Sequence, residues 1–181
     1  MPIDLQNASF ETERLVVRSC RIQDAPALQA LMTPTISKWV ATWPTPLTIA
    51  KTTEILRDCL QSANAGQSFA AVVEQKSTAT PIGWLKLDIS VTDQSRADLG
   101  YWIGEDHQRR GYALEMSQGA MTFVFDRLRL HRIRAGAQVA NTASIAVLQK
   151  LGMTEEFVQD VWAPARQRSE ACTFWEMENP S

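Results

Sequence analysis

The sequence predicts an α+β fold, a mixed and mostly antiparallel sheet of about seven strands flanked by four helices. Two observations predict it. Strand-like segments follow one another without an intervening helix in the middle of the chain and again at its end, which implies antiparallel pairing. Between them lies a strand–helix–strand unit, which implies a parallel step with helices on both faces of the sheet. No internal repeat, low-complexity stretch or linker interrupts the pattern, so residues 1–181 read as one domain.

Residues 14–18 (RLVVR) alternate weakly and are β-branched, as a first strand should be. Asp24 reads as the N-cap of a helix reaching Met32, with Pro26 accommodated in its first turn. Pro44 and Pro46 break the stretch 39–46 into a loop carrying two exposed-looking tryptophans, Trp39 and Trp43, which either wall a ligand site or, at least as readily, pack on the two first helices, and a helix follows over 48–63. Segments 69–74 and 82–89 are strands joined by a turn over 76–81, and 98–104 (DLGYWIG) is a third. Ala113, Met116, Ala120, Val124 and Leu128 form the apolar stripe of a helix running from Gly111 to about Leu128. A strand at 132–139 precedes a helix at 141–151, with Ile145, Leu148 and Leu151 on one face and Gly152 at C′. Strands near 156–162 and 171–177 complete the set.

Composition is that of a globular protein, 45% hydrophobic and 21% charged, with a net charge of −2. Lysine and arginine are spread along the chain rather than gathered in a basic stripe, so no nucleic-acid partner is expected. No apolar run is long enough to span a bilayer, so no membrane partner is expected. The first ten residues lack a basic segment followed by an apolar one, so no leader is expected and the location predicted is cytoplasmic. Cys20, Cys59 and Cys172 are far apart and form no CxxC pair, consistent with reduced, buried thiols. His107 and His131 have no companions at metal-ligand spacing, so no metal is expected.

The stretch 103–113, IGEDHQRRGYA, carries the chemistry. A strand ends, a polar loop follows and an amphipathic helix begins at Gly111. Backbone N–H groups at a helix start have no intrahelical partner and the helix dipole is positive there, so such a site accepts phosphate. Gly111 lets the backbone approach an anion, Ala113 leaves room, and Arg109 and Arg110 add positive charge. The plain alternative is a solvated arginine pair beside a turn glycine, and on the loop alone the two readings stand level. A Rossmann loop fits less well, having more glycines than this one.

Gln108-Arg109-Arg110-Gly111-Tyr112-Ala113 resembles the Q/R-x-x-G-x-G/A signature of the GCN5-related N-acetyltransferase (GNAT) superfamily. His131-Arg132-Ile133 and the block from Asn141 to Met153 resemble the H-R-I and N-x-x-S-x-x-V-L-x-K-L-G-F blocks of its RimJ/RimL-like branch. Thr12-Glu13-Arg14-Leu15 and Leu99-Gly100-Tyr101-Trp102-Ile103 fit the same branch, so the resemblance spans about residues 10–177. It implies a GNAT fold splayed between its two central parallel strands, and an N-acetyltransferase using acetyl-CoA as co-substrate. The acceptor would be a primary amine, either a small amine or a peptide or protein N-terminus, with a homodimer left open. The pantetheine arm would pair with the backbone of Tyr101, Trp102 and Ile103. The pyrophosphate would rest on the amides of residues 109–113, the loop that Gln108 opens and Tyr112 and Ala113 close.

The same resemblance implies that a backbone N–H near Trp102 or Ile103 steadies the oxyanion, that Asn141 contacts CoA and that Ser144 protonates or steadies the leaving thiolate. From the residues alone Asn141 is equally an N-cap and Ser144 a small first-turn residue. Leu148 stands where many other branches carry a catalytic Tyr. The general base is where the pattern departs. Arg134 occupies the place of a Glu that often follows H-R-I, and Ala163 the place of the Glu used by the ribosomal-protein enzymes. Asp98, Glu105, Glu156 and Asp160 remain as acids, each equally a solvated surface residue. The missing acids keep a second reading open, a non-catalytic acyl-CoA-binding domain on the same fold. The net charge weakly disfavours strongly anionic acceptors.

Overall fold

The computed structural model describes residues 4–180, so the first three residues of the stretch read for a leader lie outside it. Its strands are β1 (Ser9–Glu11), β2 (Leu15–Ser19), β3 (Ser68–Gln75), β4 (Thr80–Ile89), β5 (Arg96–Ile103), β6 (Arg132–Gln138), β7 (Thr154–Ala163) and β8 (Arg168–Glu178). They form one sheet in the order β1-β2-β3-β4-β5-β6-β8-β7, antiparallel at every step except β5–β6. The helices are α1 (Ala25–Leu31), α2 (Pro34–Ser37), α3 (Ile49–Asn64), α4 (Tyr112–Thr122) and α5 (Thr142–Lys150). The mixed sheet with helices on both faces is as expected, with eight strands instead of about seven and five helices instead of four. The additions are β1, three residues long, and α2, four residues long; neither is long enough to show a periodicity.

Local chemistry fixes most helix ends. The Thr48 hydroxyl accepts from the Lys51 amide at 3.1 Å, and α3 buries Thr52, Leu56, Cys59 and Ala63 along one stripe. Gly152 takes the left-handed conformation, φ 77°, just past α5, as a C′ glycine should. The helix predicted from Gly111 to Leu128 is α4 followed by a π-helical turn, Phe123–Arg127, in which Phe123, Val124 and Phe125 are all buried. Asp24 precedes α1 but its side chain caps nothing there. Its carboxylate instead accepts from the Arg21 amide at 2.7 Å and from the Arg18 guanidinium.

Two cores sandwich the sheet. On one face Leu15, Val17, Phe69, Leu85 and Leu99 pack with Met116 and Ala120 of α4 and Leu148 of α5. On the other Leu28 of α1 and Leu56 of α3 pack with Trp43, Trp84 and Trp102. Trp43, exposed-looking in its loop, takes the packed alternative and is 3% exposed. It packs edge-on against Trp84 and Trp102, each ring centroid 5.2 Å away. Each such contact adds about 1 kcal/mol beyond area burial, which outweighs the loop character of its neighbours. Cys20, Cys59 and Cys172 are buried and unpaired, and burial pushes the Cys20 thiol up to about 12.

Arg18 organises the second core from its edge. Its guanidinium holds Asp24 at 2.8 Å and Glu74 at 2.6 Å, joining the start of α1 to β3, and both carboxylates raise its proton affinity. Arg18→Met should therefore lower stability by about 3 kcal/mol, because two largely buried carboxylates are left facing each other. A urea midpoint unchanged by the substitution would show that the network merely breaks even.

Candidate active site

The parallel pair β5–β6 is in register only from Arg96↔Arg132 to Leu99↔Ala135. Beyond that point β5 stays with β4 as far as Ile103, and β6 stays with β8 as far as Gln138. Each strand follows its outer neighbour, and the centre of the sheet opens into a V. Alternation along β5 says which groups line it. Gly104 donates to the Ile82 carbonyl at 2.8 Å, so by the two-residue period of an unbroken antiparallel ladder the Trp102 amide also faces β4. The amides of Tyr101 and Ile103 face the opening. Of the two positions expected for an oxyanion donor, Ile103 is the one with the right direction.

At the mouth of the V a single turn, Glu105–His107, leads into the loop. Arg109 and Gly111 both take left-handed backbone, φ 60° and 81°. The amides of Arg109, Arg110 and Gly111 find no acceptor among the described residues, and Gly111 offers α4 no side-chain cap. Such a run of undirected N–H groups is a cradle for an anion. Arg109 and Arg110 are exposed beside it. Gln108 uses its side chain structurally, donating from Nε2 to the Ile103 carbonyl at 2.9 Å, and so closes the strand's end onto the loop. The Tyr112 side chain is buried in the first core, leaving only its backbone for a ligand, and Ala113 is half-buried.

The loop is held from a distance. Glu115, in the first turn of α4, accepts from the Thr12 hydroxyl at 2.6 Å and the Arg14 amide at 2.8 Å, and pairs with the Arg14 guanidinium. Burial alone would raise the Glu115 pKa, but these donors together bring it below the ordinary carboxylate value. Arg14 also donates to the Arg110 carbonyl at 3.0 Å and lies over the Tyr112 ring. The Thr12–Arg14 block thus clamps the helix start, a role that a pass along the chain could not assign because its partners lie about a hundred residues away.

Residues 14–154 match the family described as the acetyltransferase (GNAT) domain. The chain belongs to the GNAT acetyltransferase family. An uncharacterised N-acetyltransferase of Bacillus licheniformis, p20, is 31% identical over 80% of this chain and 82% of its own length. The acetyltransferase shares its fold with Mycobacterium smegmatis RimJ in complex with CoA-disulfide. The TM-score is 0.85, with 19% identity, over 98% of this chain and 91% of that one. It also shares its fold with RimL, a ribosomal L7/L12 alpha-N-protein acetyltransferase in complex with coenzyme A. There the TM-score is 0.80, with 18% identity, over 94% and 98% of the two chains.

In this acetyltransferase α5 starts beside the opening. Asn141 is its N-cap, its Oδ1 accepting from the Ser144 amide at 3.2 Å, so the capping role read from the sequence is real whatever else the side chain touches. Ser144, half-buried, is the polar neighbour of the Tyr101 hydroxyl, which has no well-formed hydrogen bond although it is buried. Burial raises the Tyr101 pKa, and the nearby Ser144 hydroxyl offsets part of the rise. Tyr101 and Trp102 take opposite faces, Tyr101 packing with the α4 side and Trp102 lying in the α1–α3 core.

The acids read from the sequence separate cleanly. Glu156 and Asp160 are exposed on the edge strand β7, and Glu105 bonds Thr33 at the start of α2. Only Asp98 lies at the splay, where its Oδ1 takes Arg134 Nε at 2.7 Å and stands 3.5 Å from Arg96 Nε. Ala163 is buried at the end of β7. The segment after α2 is tied to the end of β6 and to the turn between β7 and β8. Gln138 donates to the Lys38 carbonyl at 2.8 Å, and Arg166 to the Ser37 and Val40 carbonyls at 2.6 and 2.8 Å. Trp39, in the same segment, is half-buried with the Lys38 ammonium over its ring. Among the described residues no group of His, Cys, Asp and Glu could hold a metal, and no helix is long and apolar enough to cross a membrane.

Proposed function

We propose that this acetyltransferase moves an acetyl group from acetyl-CoA to a primary amine, by direct attack in a ternary complex. The acceptor we favour is a peptide or protein α-amino group. The observation that carries the reading is the V between β5 and β6 with an undirected amide cradle at its mouth. A pyrophosphate on the amides of residues 109–113 leaves an extended arm running along the unpaired edge of β5, with its thioester toward the apex. The amine nitrogen attacks the thioester carbon, an opening-facing amide of β5, that of Tyr101 beside the apex or of Ile103 nearer the mouth, holds the developing oxyanion, and the C–S bond breaks. Ser144 gives the departing sulfur a proton and regains one from water, to which the amine's surplus proton passes. One well-placed oxyanion donor supplies roughly 3 kcal/mol. The buried, reduced thiols fit a cytoplasmic setting. The names carried by RimL and p20 support N-acetylation, and that of RimL an α-amine.

Free-thiol release from acetyl-CoA, measured against a panel of peptides, polyamines, amino acids and aminoglycosides, tests the proposal. Thermal stabilisation by acetyl-CoA without turnover of any amine would favour the acyl-CoA-binding domain instead. Ser144→Ala should lower kcat by about a hundredfold with KM for acetyl-CoA nearly unchanged, since the proton is needed only as the bond breaks. Equal losses in both would make Ser144 a binding or capping residue.

A further inference from the structure

The sheet face opposite α4 and α5 carries a polar row that the reaction described above leaves unused. Asp88, Asp98, Arg134 and Glu176 are successive register partners on β4, β5, β6 and β8. Directly beyond this row lie Gly100 and Gly136, the first residues past the end of the β5–β6 pairing. Both are exposed although their strands are central, and a Cβ at Gly100 would meet nothing within 4 Å. At the apex of the V the backbone of Gly100 is therefore bare on this face while the Phe174 ring lies over Gly136, and an amine can reach the thioester on the Gly100 side.

Arg134 stands at the rim of that opening, held in two ways. Its Nε donates to Asp98 at 2.7 Å, and its guanidinium carbon lies 5.3 Å from the centre of the Phe174 ring. Phe174 itself is pressed onto Gly136, where a Cβ would come within 2.9 Å of the ring. It also stacks on Phe157 at 5.0 Å, a residue 41% exposed on the edge strand. The two terminal nitrogens of Arg134 have no hydrogen-bond partner among the described residues. Glu176, its register neighbour, is directed instead at Arg132. Asp98 is shared between Arg134 and Arg96, so these three groups carry a net positive charge next to the opening.

A guanidinium fixed through its Nε and one ring face, with both terminal nitrogens free, is shaped to take two oxygens of a carboxylate. We infer that Arg134 is a specificity-determining residue for the acceptor. It binds a carboxylate carried by the substrate close to the reacting amine, while the Phe174–Phe157 ledge supports the substrate's apolar part. The inference rests on the acetyl-transfer reading for the identity of the reacting amine. The net charge of −2 argues weakly the other way, but at hydrogen-bond distance the local cation outweighs charges beyond a screening length of about 8 Å.

The test uses matched acceptors differing only in acid against amide. One pair is short peptides with Asp or Asn, or Glu or Gln, as second residue. The other is a free amino acid and its amide, compared at equal concentration of neutral amine because the α-carboxylate raises the amine pKa, which separates a side-chain carboxylate from an α-carboxylate. Wild-type protein should favour the acid member of at least one pair by about tenfold in kcat/KM, the scale of one charge-assisted hydrogen bond. Arg134→Gln should bring the ratio close to one and Arg134→Glu should reverse it. The same pairs titrated onto wild-type protein saturated with CoA should show the preference in Kd. A binding preference without turnover would overturn the acetyl-transfer reading and leave the inference standing. Equal binding and equal turnover of acid and amide by the wild type overturns the inference, whether or not the variants fold. A preference surviving in Arg134→Gln overturns it as well.

Discussion

Gly111→Asp is expected to abolish the rise in melting temperature that acetyl-CoA gives the wild-type protein. A ligand that binds only the folded state at a hundredfold excess over its Kd adds about 2.7 kcal/mol of stability. For a domain of this size that is a shift of about 5–10 °C. The aspartate places a carboxylate where the pyrophosphate is expected, and its Cβ enters the space through which the loop backbone approaches the ligand. The fold should tolerate it. Gly111 sits at φ 81°, where any side chain is strained, but a Cβ there meets only the Arg14 guanidinium, at 3.4 Å. Aspartate is among the residues that best accept this backbone region and it can cap a helix. Gly111→Ala separates strain from charge, carrying the same Cβ without the carboxylate, and should keep part of the shift. A wild-type protein indifferent to millimolar acetyl-CoA would remove the donor from the proposal. A shift of full size in Gly111→Asp would move the pyrophosphate away from this loop.

What could be read along the chain and what could not follows from the range of the interactions. The loop 108–113, the cap at Asn141 and the C′ glycine at 152 each depend on neighbours within a few residues, and the structure has them as expected. Trp43 stays undecided along the chain because two prolines speak for a loop, while the rings that bury it belong to β4 and β5. Asp24 stands at the N-cap position of α1 as expected, but its carboxylate is held by Arg18, which competes successfully with the helix amides. The opening of the V was implied by the family resemblance and by nothing in local periodicity, since β5 and β6 each look like ordinary strands. Arg134 shows the same limit. In sequence it was a lost acid; in the sheet it is a gained cation whose neighbours, Asp98 and Phe174, come from strands on either side.

The second large effect concerns the acceptor's own proton. The α-amine of a peptide should be acetylated about a hundredfold or more faster than a lysine side chain of comparable affinity. A lysine amine with a pKa near 10.4 is neutral in only about one molecule in a thousand at pH 7.4, whereas an α-amine near 7.7–8.0 is neutral in roughly a quarter. An enzyme with a strong base could remove that difference. Here the places of the two acids expected from the family are held by Arg134 and by buried Ala163, and Asp98, which of the four acids read from the sequence lies at the splay, is engaged by Arg134 and Arg96. Its guanidinium partners leave it a positioning part of the acceptor rim, and the amine must arrive already neutral. The pH dependence of kcat/KM for the best acceptor checks this directly. The rate should rise with pH and level off at the free amine's own pKa, moving with that pKa from one acceptor to another. A limb near about pH 6 that stays fixed across acceptors and vanishes in Asp98→Asn would make Asp98 the general base. Rapid acetylation of spermidine or of a lysine side chain, with α-amines untouched, would defeat the α-amine assignment altogether.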